Sequence, residues 1–361
     1  MRKIFCFLLC VLLLTACGKA PSEIETKSSS IEELLSSMTL EEKVGQMFIA
    51  RCPDTDGALY AQKYQVGGYI LFGRDFKDSA PDTFRKTVQS YQDSVKIPMF
   101  IAVDEEGGVV NRASRYTPFR SEPFPSPQTL YENGGLEKVR EDAKEKSKFL
   151  LDLGINVNFA PVCDISQNES DFMYSRSVGL DPQGTGEYVK TVVTEMKAAG
   201  IGSVLKHFPG YGANEDTHTG ISVDDRAIEE FYQKDFIPFT SGIKSGATMV
   251  LVSHNIVECM DKDMPASLSP EVHRVLREDL GFDGLIITDD LAMDAIGFYT
   301  DNADAAVKAI LAGNDLICCS DFTVQIPAVI KAVKDKTISE KQIDESVLRI
   351  LEKKKELGIL N

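Results

Sequence analysis

Short apolar runs recur along the chain after residue 31, and each is closed by polar residues or glycine. Their apolar positions are nearly continuous, whereas a strand with one solvated face alternates apolar and polar residues. Continuous apolar strands are typical of a parallel sheet that is covered on both faces. We therefore predict eight buried strands, within residues 46–51, 66–73, 98–108, 155–164, 201–210, 247–255, 284–290 and 315–320.

Helical patterns lie between these runs. Thr39 and Glu42 form a capping-box pair that starts a short helix. Apolar residues at three- and four-residue spacing predict further helices over 136–153, 186–199, 270–280 and 303–312. Eight strand–helix units predict an α/β fold with a single (β/α)8 TIM-type barrel over residues 31–361. A doubly wound open sheet is the alternative.

The carboxyl ends of the predicted strands carry the polar side chains. In a (β/α)8 barrel, active sites gather at that end of the strands. The sequence therefore predicts a polar site rich in carboxylates, built from the strand ends Asp104-Glu105-Glu106, Asp164, Lys206-His207, Ser253-His254, Asp289-Asp290 and Ser320-Asp321.

The first 30 residues differ from the rest. Met1-Arg2-Lys3 precedes an uncharged apolar run at 4–16 that is too short for a comfortable bilayer span. The run ends at LTAC, which resembles a bacterial lipoprotein signal. We predict a signal peptide at 1–16, lipidation of Cys17 and a flexible tether over 17–30, and so an extracytoplasmic lipoprotein held to a membrane by its lipid. A plain signal peptide or a marginal anchor is the alternative.

The net charge limits the kinds of partner that we expect, and the cysteine content limits the kinds of cross-link and metal site. The formal net charge is −16, and it becomes −18 when Arg2 and Lys3 leave with the signal. Such an acidic body is repelled by nucleic acid and by anionic lipid, so we expect no nucleic-acid partner. The cysteines after Cys17 are odd in number and irregularly spaced, which argues against a disulfide framework or a metal site. We expect a monomer.

The segment KHFPGYGANEDTHTG, residues 206–220, holds two of the four histidines. In extended backbone Asp216 and His218 point to the same side, so the carboxylate can fix the imidazole tautomer and raise its basicity. Such a pair suits proton transfer near neutral pH. A solvated loop with a structural Asp–His contact is the alternative. A zinc site of His207, Asp216 and His218 is conceivable, but the spacing matches no known zinc pattern.

Asp289-Asp290 follows an apolar run, and a carboxylate at a strand end can act as the nucleophile of glycoside cleavage. The alternative is that one aspartate caps the helix that follows. Asp104 and its two glutamate neighbours, with Arg112, suit polyol binding. They suit a salt-bridge network at the barrel rim equally well.

Seven segments in order resemble glycoside hydrolase family 3, most closely its bacterial β-N-acetylglucosaminidase branch. They are TLEEKVGQM, GGYILFG, AVDEEGGVVNR, NFAPVCDI, SRSVG, KHFPGYGANEDTHTG and ITDDLAM. The resemblance implies Asp289 as nucleophile and His218 as general acid/base, with Asp216 as its partner. It implies that the terminal sugar is held by Asp104, Arg112, Arg176, Lys206 and His207.

The resemblance implies a retaining enzyme that removes terminal β-linked N-acetylglucosamine from cell-wall muropeptides or chitin-type oligosaccharides, with no metal or organic cofactor. A β-glycoside phosphorylase, a β-glucosidase and a non-catalytic sugar-binding lipoprotein are the alternatives. Three positions depart from the family pattern. The loop has one residue fewer before Asp216, Tyr211 replaces a histidine, and Val109 replaces an arginine.

Overall fold

The computed structural model describes residues 31–212 and 222–360. The predicted signal peptide, Cys17 and the tether therefore lie outside the described residues, as do Asp216 and His218. No helix in the described part of the chain is long and apolar enough to cross a membrane.

Eight parallel strands form one sheet that closes on itself. The barrel strands are β1 (Phe48–Arg51), β2 (Gly68–Leu71), β3 (Phe100–Val103), β4 (Val157–Asn158), β5 (Gly202–Phe208), β7 (Met249–Val252), β9 (Leu285–Thr288) and β10 (Ile317–Cys319). Two short strands, β6 (Val223–Asp224) and β8 (Ile256–Val257), pair outside the barrel.

Hydrogen-bonded neighbours run in the order β10-β1-β2-β3-β4-β5-β7-β9, and a parallel bridge between Ile287 and Leu316 joins the two outer strands. The predicted barrel is confirmed, and the open doubly wound sheet is excluded.

Helices surround the barrel. Residues 31–37 are helical, and the α-helices that follow are Leu40–Gln46, Gly57–Tyr64, Gly73–Phe76, Pro81–Asp93, Pro127–Glu132, Gly135–Asp152, Pro182–Ala199, Ile228–Gln233, Phe236–Lys244, Pro270–Arg274, Asp294–Gly297, Asn302–Ala312, Phe322–Lys334 and Glu340–Glu356. The predicted capping box of Thr39 and Glu42 is present. The helix predicted over 270–280 continues past Arg274 as a π-helical turn, Val275–Asp279.

Barrel strands are apolar because both of their faces are covered. Every residue of β2, β3, β7 and β9 is buried, which is the burial that continuous apolar runs predict. Among the described cysteines, Cys52, Cys163, Cys318 and Cys319 are buried free thiols and Cys259 is exposed. The buried cysteines are part of this apolar packing.

Lys354 is buried near the amino-terminal ends of the strands. Its Nζ donates to Oε1 of Gln46 at 2.6 Å and lies 5.0 Å from the ring centroid of Phe100. Burial lowers the pKa of Lys354 to about 7. The amine therefore closes the end of the barrel opposite the polar strand ends.

His273 lies in the helix predicted over 270–280 and is buried. Helical spacing alone predicts a surface position for this histidine, but the residue is only 3% exposed. Its Nδ1 contacts the carbonyl oxygen of Ser269 at 2.7 Å, and burial lowers its pKa. Gly313 packs against this histidine, because a Cβ at Gly313 would lie 3.3 Å from the Cβ of His273. The spacing of apolar residues along one helix does not predict which residues of another helix will cover it.

Candidate active site

A pocket of about 290 Å³ opens at the carboxyl ends of the strands. Six of the predicted site residues line it: Asp104, Arg112, Arg176, Lys206, His207 and Asp289. They come from four different strands or the loops that follow them, so the barrel brings together residues up to 185 positions apart. The two remaining predicted residues, Asp216 and His218, lie outside the described residues. Within 31–212 and 222–360 no cluster of histidine, cysteine and acidic residues could hold a metal ion.

Lys206 is the buried cation at the centre of the pocket. Its Nζ lies 2.6 Å from Oδ1 of Asp104 and 2.6 Å from Oε1 of Glu106. Burial opposes the charged ammonium, but the two carboxylates outweigh it and raise the pKa of Lys206. The ammonium thus remains charged and fixes the Asp104 carboxylate at the pocket wall.

Glu106 joins Lys206 to a second cation, Arg176. The Arg176 guanidinium donates to both Glu106 oxygens, at 2.7 and 3.0 Å. Burial disfavours the carboxylate, but Lys206 and Arg176 together lower its pKa below the ordinary range. The sequence placed Glu106 among the polar strand ends, but the family resemblance did not include it among the residues that hold the sugar. The signal was available, because Asp104 and Glu106 are two residues apart and face the same way in extended backbone.

His207 is oriented by partners on both ring nitrogens. Nδ1 lies 2.8 Å from Oδ2 of Asp164, and Nε2 lies 3.2 Å from Nη2 of Arg176. A carboxylate can only accept and a guanidinium can only donate, so the ring is assigned as the neutral tautomer with hydrogen on Nδ1. The other Asp164 oxygen accepts the backbone N–H of Tyr211 at 2.8 Å.

Glu105 holds the backbone that carries Arg112. Its carboxylate is fully buried and accepts the backbone N–H groups of Arg112, Ala113 and Ser114, at 2.9, 2.8 and 3.2 Å. A carboxylate that accepts several backbone donors fixes a loop strongly. The backbone that carries Arg112 is therefore held in place by Glu105. The Arg112 side chain lines the pocket, with its Nη2 3.8 Å from Oδ2 of Asp104.

Asp289 and Asp290 follow β9 and have different partners. The backbone N–H of Asp290 donates to Oδ1 of Asp289 at 2.8 Å. The Asp290 side chain accepts from Ser320 Oγ at 2.6 Å and from the Ala292 N–H at 3.0 Å. Asp290 thus stabilises the turn after β9. The prediction that one aspartate caps the next helix is wrong in detail, because that helix begins after Met293.

His254, at the end of β7, supports the same turn. Its Nε2 lies 3.0 Å from the carbonyl oxygen of Asp290, and its Nδ1 lies 2.7 Å from Oγ of Ser267. Its place at a strand end was visible in the sequence, but these contacts were not.

An ion cluster that follows segment 213–221 also packs against the chain just before that segment. The Arg226 guanidinium donates to Asp224 at 2.7 Å and to Asp235 at 2.8 Å. Gly210 and Gly212 have φ angles of +122° and +58°, which favour glycine. A Cβ at Gly210 would lie 2.8 Å from the Cβ of Asp235, so the backbone approaches the cluster closely there.

The pocket thus combines a partly exposed strand-end aspartate with a wall of fixed cations and carboxylates. The family model of the glycosyl hydrolase family 3 N-terminal domain matches residues 39–353. The chain belongs to glycosyl hydrolase family 3. The family predicted from the seven sequence segments is therefore confirmed.

Named relatives within this family are β-hexosaminidases. Beta-hexosaminidase LpqI of Mycobacterium tuberculosis is 30% identical over 322 residues, which cover 86% of this chain and 81% of the relative. Beta-hexosaminidase A of Pseudoalteromonas piscicida is 30% identical over 324 residues, covering 82% of this chain and 54% of the relative. This family 3 chain therefore spans about half the length of that larger protein.

A solved family 3 structure has the same architecture. The β-N-acetylglucosaminidase from Paenibacillus sp. str. FPU-7 superimposes with a TM-score of 0.82 at 31% sequence identity. The match covers 90% of this chain and 63% of the Paenibacillus chain. The likeness therefore extends over nearly the whole barrel.

Proposed function

We propose that this family 3 barrel is a retaining exo-β-N-acetylglucosaminidase that hydrolyses terminal, non-reducing β-linked N-acetylglucosamine. The observation that carries the proposal is one pocket in which Asp289 faces the fixed group of Asp104, Arg112, Arg176, Lys206 and His207. The β-hexosaminidase names of the relatives support the same activity.

The pocket size suits a single terminal sugar. Ligand pockets usually measure about 300–1,000 Å³, and this one is at the lower end. Asp104 and Lys206 offer an acceptor and a donor side by side, and Arg176 with His207 offers a second polar pair. Ring hydroxyls need such paired groups, because a buried polar atom without a partner is costly.

Asp289 is proposed as the nucleophile. Its Oδ1 accepts the Asp290 N–H, which orients the carboxylate at the end of β9. Attack on the anomeric carbon forms a covalent glycosyl-enzyme, and the bond to the leaving oxygen breaks. Water then releases the sugar with net retention of configuration.

His218, with Asp216, is proposed as the general acid/base. The imidazole protonates the leaving oxygen in the first step and deprotonates the water in the second. The buried cluster of Arg226, Asp224 and Asp235 holds the residues that flank their segment. Neither step calls for a metal ion or an organic cofactor.

A panel of chromogenic β-glycosides tests the proposal, with inorganic phosphate present and absent. We expect the N-acetylglucosaminide to be hydrolysed fastest, with free N-acetylglucosamine as product in both conditions. Preference for glucosides would contradict the substrate, and formation of a sugar phosphate would make the enzyme a phosphorylase.

Leaving-group dependence tests His218. The His218→Ala variant should lose far more activity on poor leaving groups than on activated aryl glycosides, because only the former need protonation. An equal loss on both substrates would remove His218 from this role.

We further propose that the chain acts outside the cytoplasm on wall fragments, as a monomer attached through Cys17. The sequence LTAC and the polar stretch after it support this location. Metabolic labelling with a fatty acid should tag the wild-type chain and leave Cys17→Ala unlabelled. Equal labelling of both proteins would refute the anchor.

A further inference from the structure

Two arginines share one aromatic ring at an edge of the pocket. The guanidinium carbon of Arg51 lies 4.7 Å from the ring centroid of Phe72, and that of Arg112 lies 5.6 Å from it. Arg51 ends β1, Phe72 follows β2, and Arg112 comes from the loop after β3. Three adjacent strands therefore bring two cations to one side of the cavity. Arg51 was not among the residues predicted from the sequence.

Each of the two guanidiniums has a nitrogen donor without a hydrogen-bond acceptor. The Nε atoms of Arg51 and Arg112 are buried and have no hydrogen-bond partner. Within residues 31–212 and 222–360, no other lysine, arginine, aspartate or glutamate has a buried side-chain nitrogen or oxygen without a hydrogen-bond partner. A buried donor without a partner costs about 1–3 kcal/mol, and such groups often mark the place of a ligand.

The pocket carboxylates are engaged by other groups. Asp104 and Glu106 are paired with Lys206 at 2.6 Å, and Glu106 also binds Arg176. Asp290 accepts from Ser320. In the described ranges Arg51 forms no ion pair, and the nearest contact of Arg112 with a carboxylate is the long 3.8 Å pair with Asp104.

We propose that Arg51 and Arg112 form an oxyanion-binding edge of the pocket. An oxyanion is the ligand that a planar guanidinium binds best, through charge-assisted and often paired hydrogen bonds. This inference rests on the proposed function, because its first source of oxyanion is a carboxylate on the saccharide being cleaved. The second source is free inorganic phosphate, which carries the same chemistry.

If the bound oxyanion is a carboxylate of the saccharide, the substrate belongs to a particular class. A neutral chitin-type disaccharide has no group that matches this edge, whereas a wall-type disaccharide with a free lactyl carboxylate does. Arg51 then discriminates between chitin-type oligosaccharides and wall fragments without a peptide stem, in favour of the latter, because a peptide stem converts the lactyl carboxylate into an amide.

A matched pair of disaccharides tests the inference. N-acetylglucosamine β-1,4-linked to N-acetylmuramic acid and chitobiose differ by the lactyl ether that bears the carboxylate. We expect Arg51→Gln to lower kcat/KM for the carboxylate substrate by roughly 10- to 100-fold, and by at least tenfold less for chitobiose. Arg51→Lys should recover part of the loss, since lysine keeps the positive charge but lacks the planar, paired donors of a guanidinium. The control is Arg115→Gln, because Arg115 stacks on Tyr116 outside the pocket.

A phosphate series on chitobiose identifies the second source. If the edge binds the free anion, millimolar phosphate changes the rate in wild type and not in Arg51→Gln. A loss that is equal on both disaccharides, without an Arg51-dependent phosphate effect, overturns the inference.

Binding to a slowed enzyme separates this inference from the proposed function. In an Asp289→Asn background, calorimetric titration measures affinity for both disaccharides without turnover. Affinity for the carboxylate disaccharide should fall at least tenfold when Arg51→Gln is added, and unchanged affinity, together with no Arg51-dependent effect of phosphate, would overturn the oxyanion edge. Wild type that cleaves neither disaccharide would instead refute the proposed function, whatever the titration shows.

Discussion

The carboxylate of Asp164 holds the His207 ring and the chain just before segment 213–221 at the same time. Its Oδ2 accepts from His207 Nδ1 at 2.8 Å and from the His207 backbone N–H at 3.1 Å, while Oδ1 accepts from Tyr211. One buried side chain thus couples the proposed sugar-binding wall to the chain just before the segment that carries Asp216 and His218.

Asp164→Asn should weaken substrate binding. The amide keeps the shape but replaces one acceptor oxygen with a donor, so either the ring or the Tyr211 N–H loses its partner. A lost buried hydrogen bond of about 1–3 kcal/mol corresponds to roughly a 5- to 150-fold fall in kcat/KM. Steady-state kinetics on a chromogenic N-acetylglucosaminide measure it. Asp152→Asn, at a highly exposed ion pair, is the control. Equal kinetics in both variants would contradict the role of Asp164.

Glu106→Gln should reduce stability as well as activity. The change leaves Lys206 and Arg176 buried near each other without their shared negative charge. Removing one partner of a buried ion pair costs about 3–5 kcal/mol. Denaturant unfolding of wild type and variant measures this free energy. A loss below about 1 kcal/mol would show that the three charges are not coupled as the distances indicate.

Arg226→Lys should impair the step that needs proton donation. Lysine keeps the positive charge but cannot bind Asp224 and Asp235 through one planar fork. The anchors on both sides of segment 213–221 then loosen, so kcat should fall more for poor leaving groups than for activated ones. The same leaving-group series used for His218→Ala measures it. Identical losses for all leaving groups would mean that the cluster serves stability alone.

Lys354 should make stability depend on pH between about 7 and 10. Its pKa is about 7 in the fold and about 10.4 in an unfolded chain. In that window the unfolded chain binds a proton that the folded chain does not, so the free energy of unfolding rises with pH, by up to about 1.4 kcal/mol per unit. Lys354→Met should remove this slope, and Lys341→Met, at an exposed position, should retain it. Denaturant unfolding at several pH values tests the difference, and parallel curves for wild type and Lys354→Met would contradict it.

The strands were predictable from the sequence because burial on both faces acts directly on residue type. β7 and β9 lie inside the apolar runs at 247–255 and 284–290, and the two aspartates that close the second run line the pocket. The order of the runs along the chain limited the fold to a barrel or a doubly wound sheet, since parallel strands with helical crossovers have few topologies.

Contacts between distant residues were not predictable in the same way. Glu106 is 70 positions from Arg176, and the sequence does not say that both meet Lys206. Gly313, 40 positions from His273, packs against it, and Ser320, 30 positions from Asp290, donates to its carboxylate. Such details follow from packing and hydrogen bonding across elements, which local patterns do not record.

Trapping the glycosyl-enzyme tests the central claim, that Asp289 is the nucleophile in a retaining family 3 mechanism. Wild-type enzyme incubated with a slow fluorinated N-acetylglucosaminide should gain one sugar mass, and fragmentation of the labelled peptide should place that sugar on Asp289. Asp289→Asn should remain unlabelled under the same conditions. A sugar on Asp290 or on any other residue, or labelling that persists in Asp289→Asn, would contradict the account.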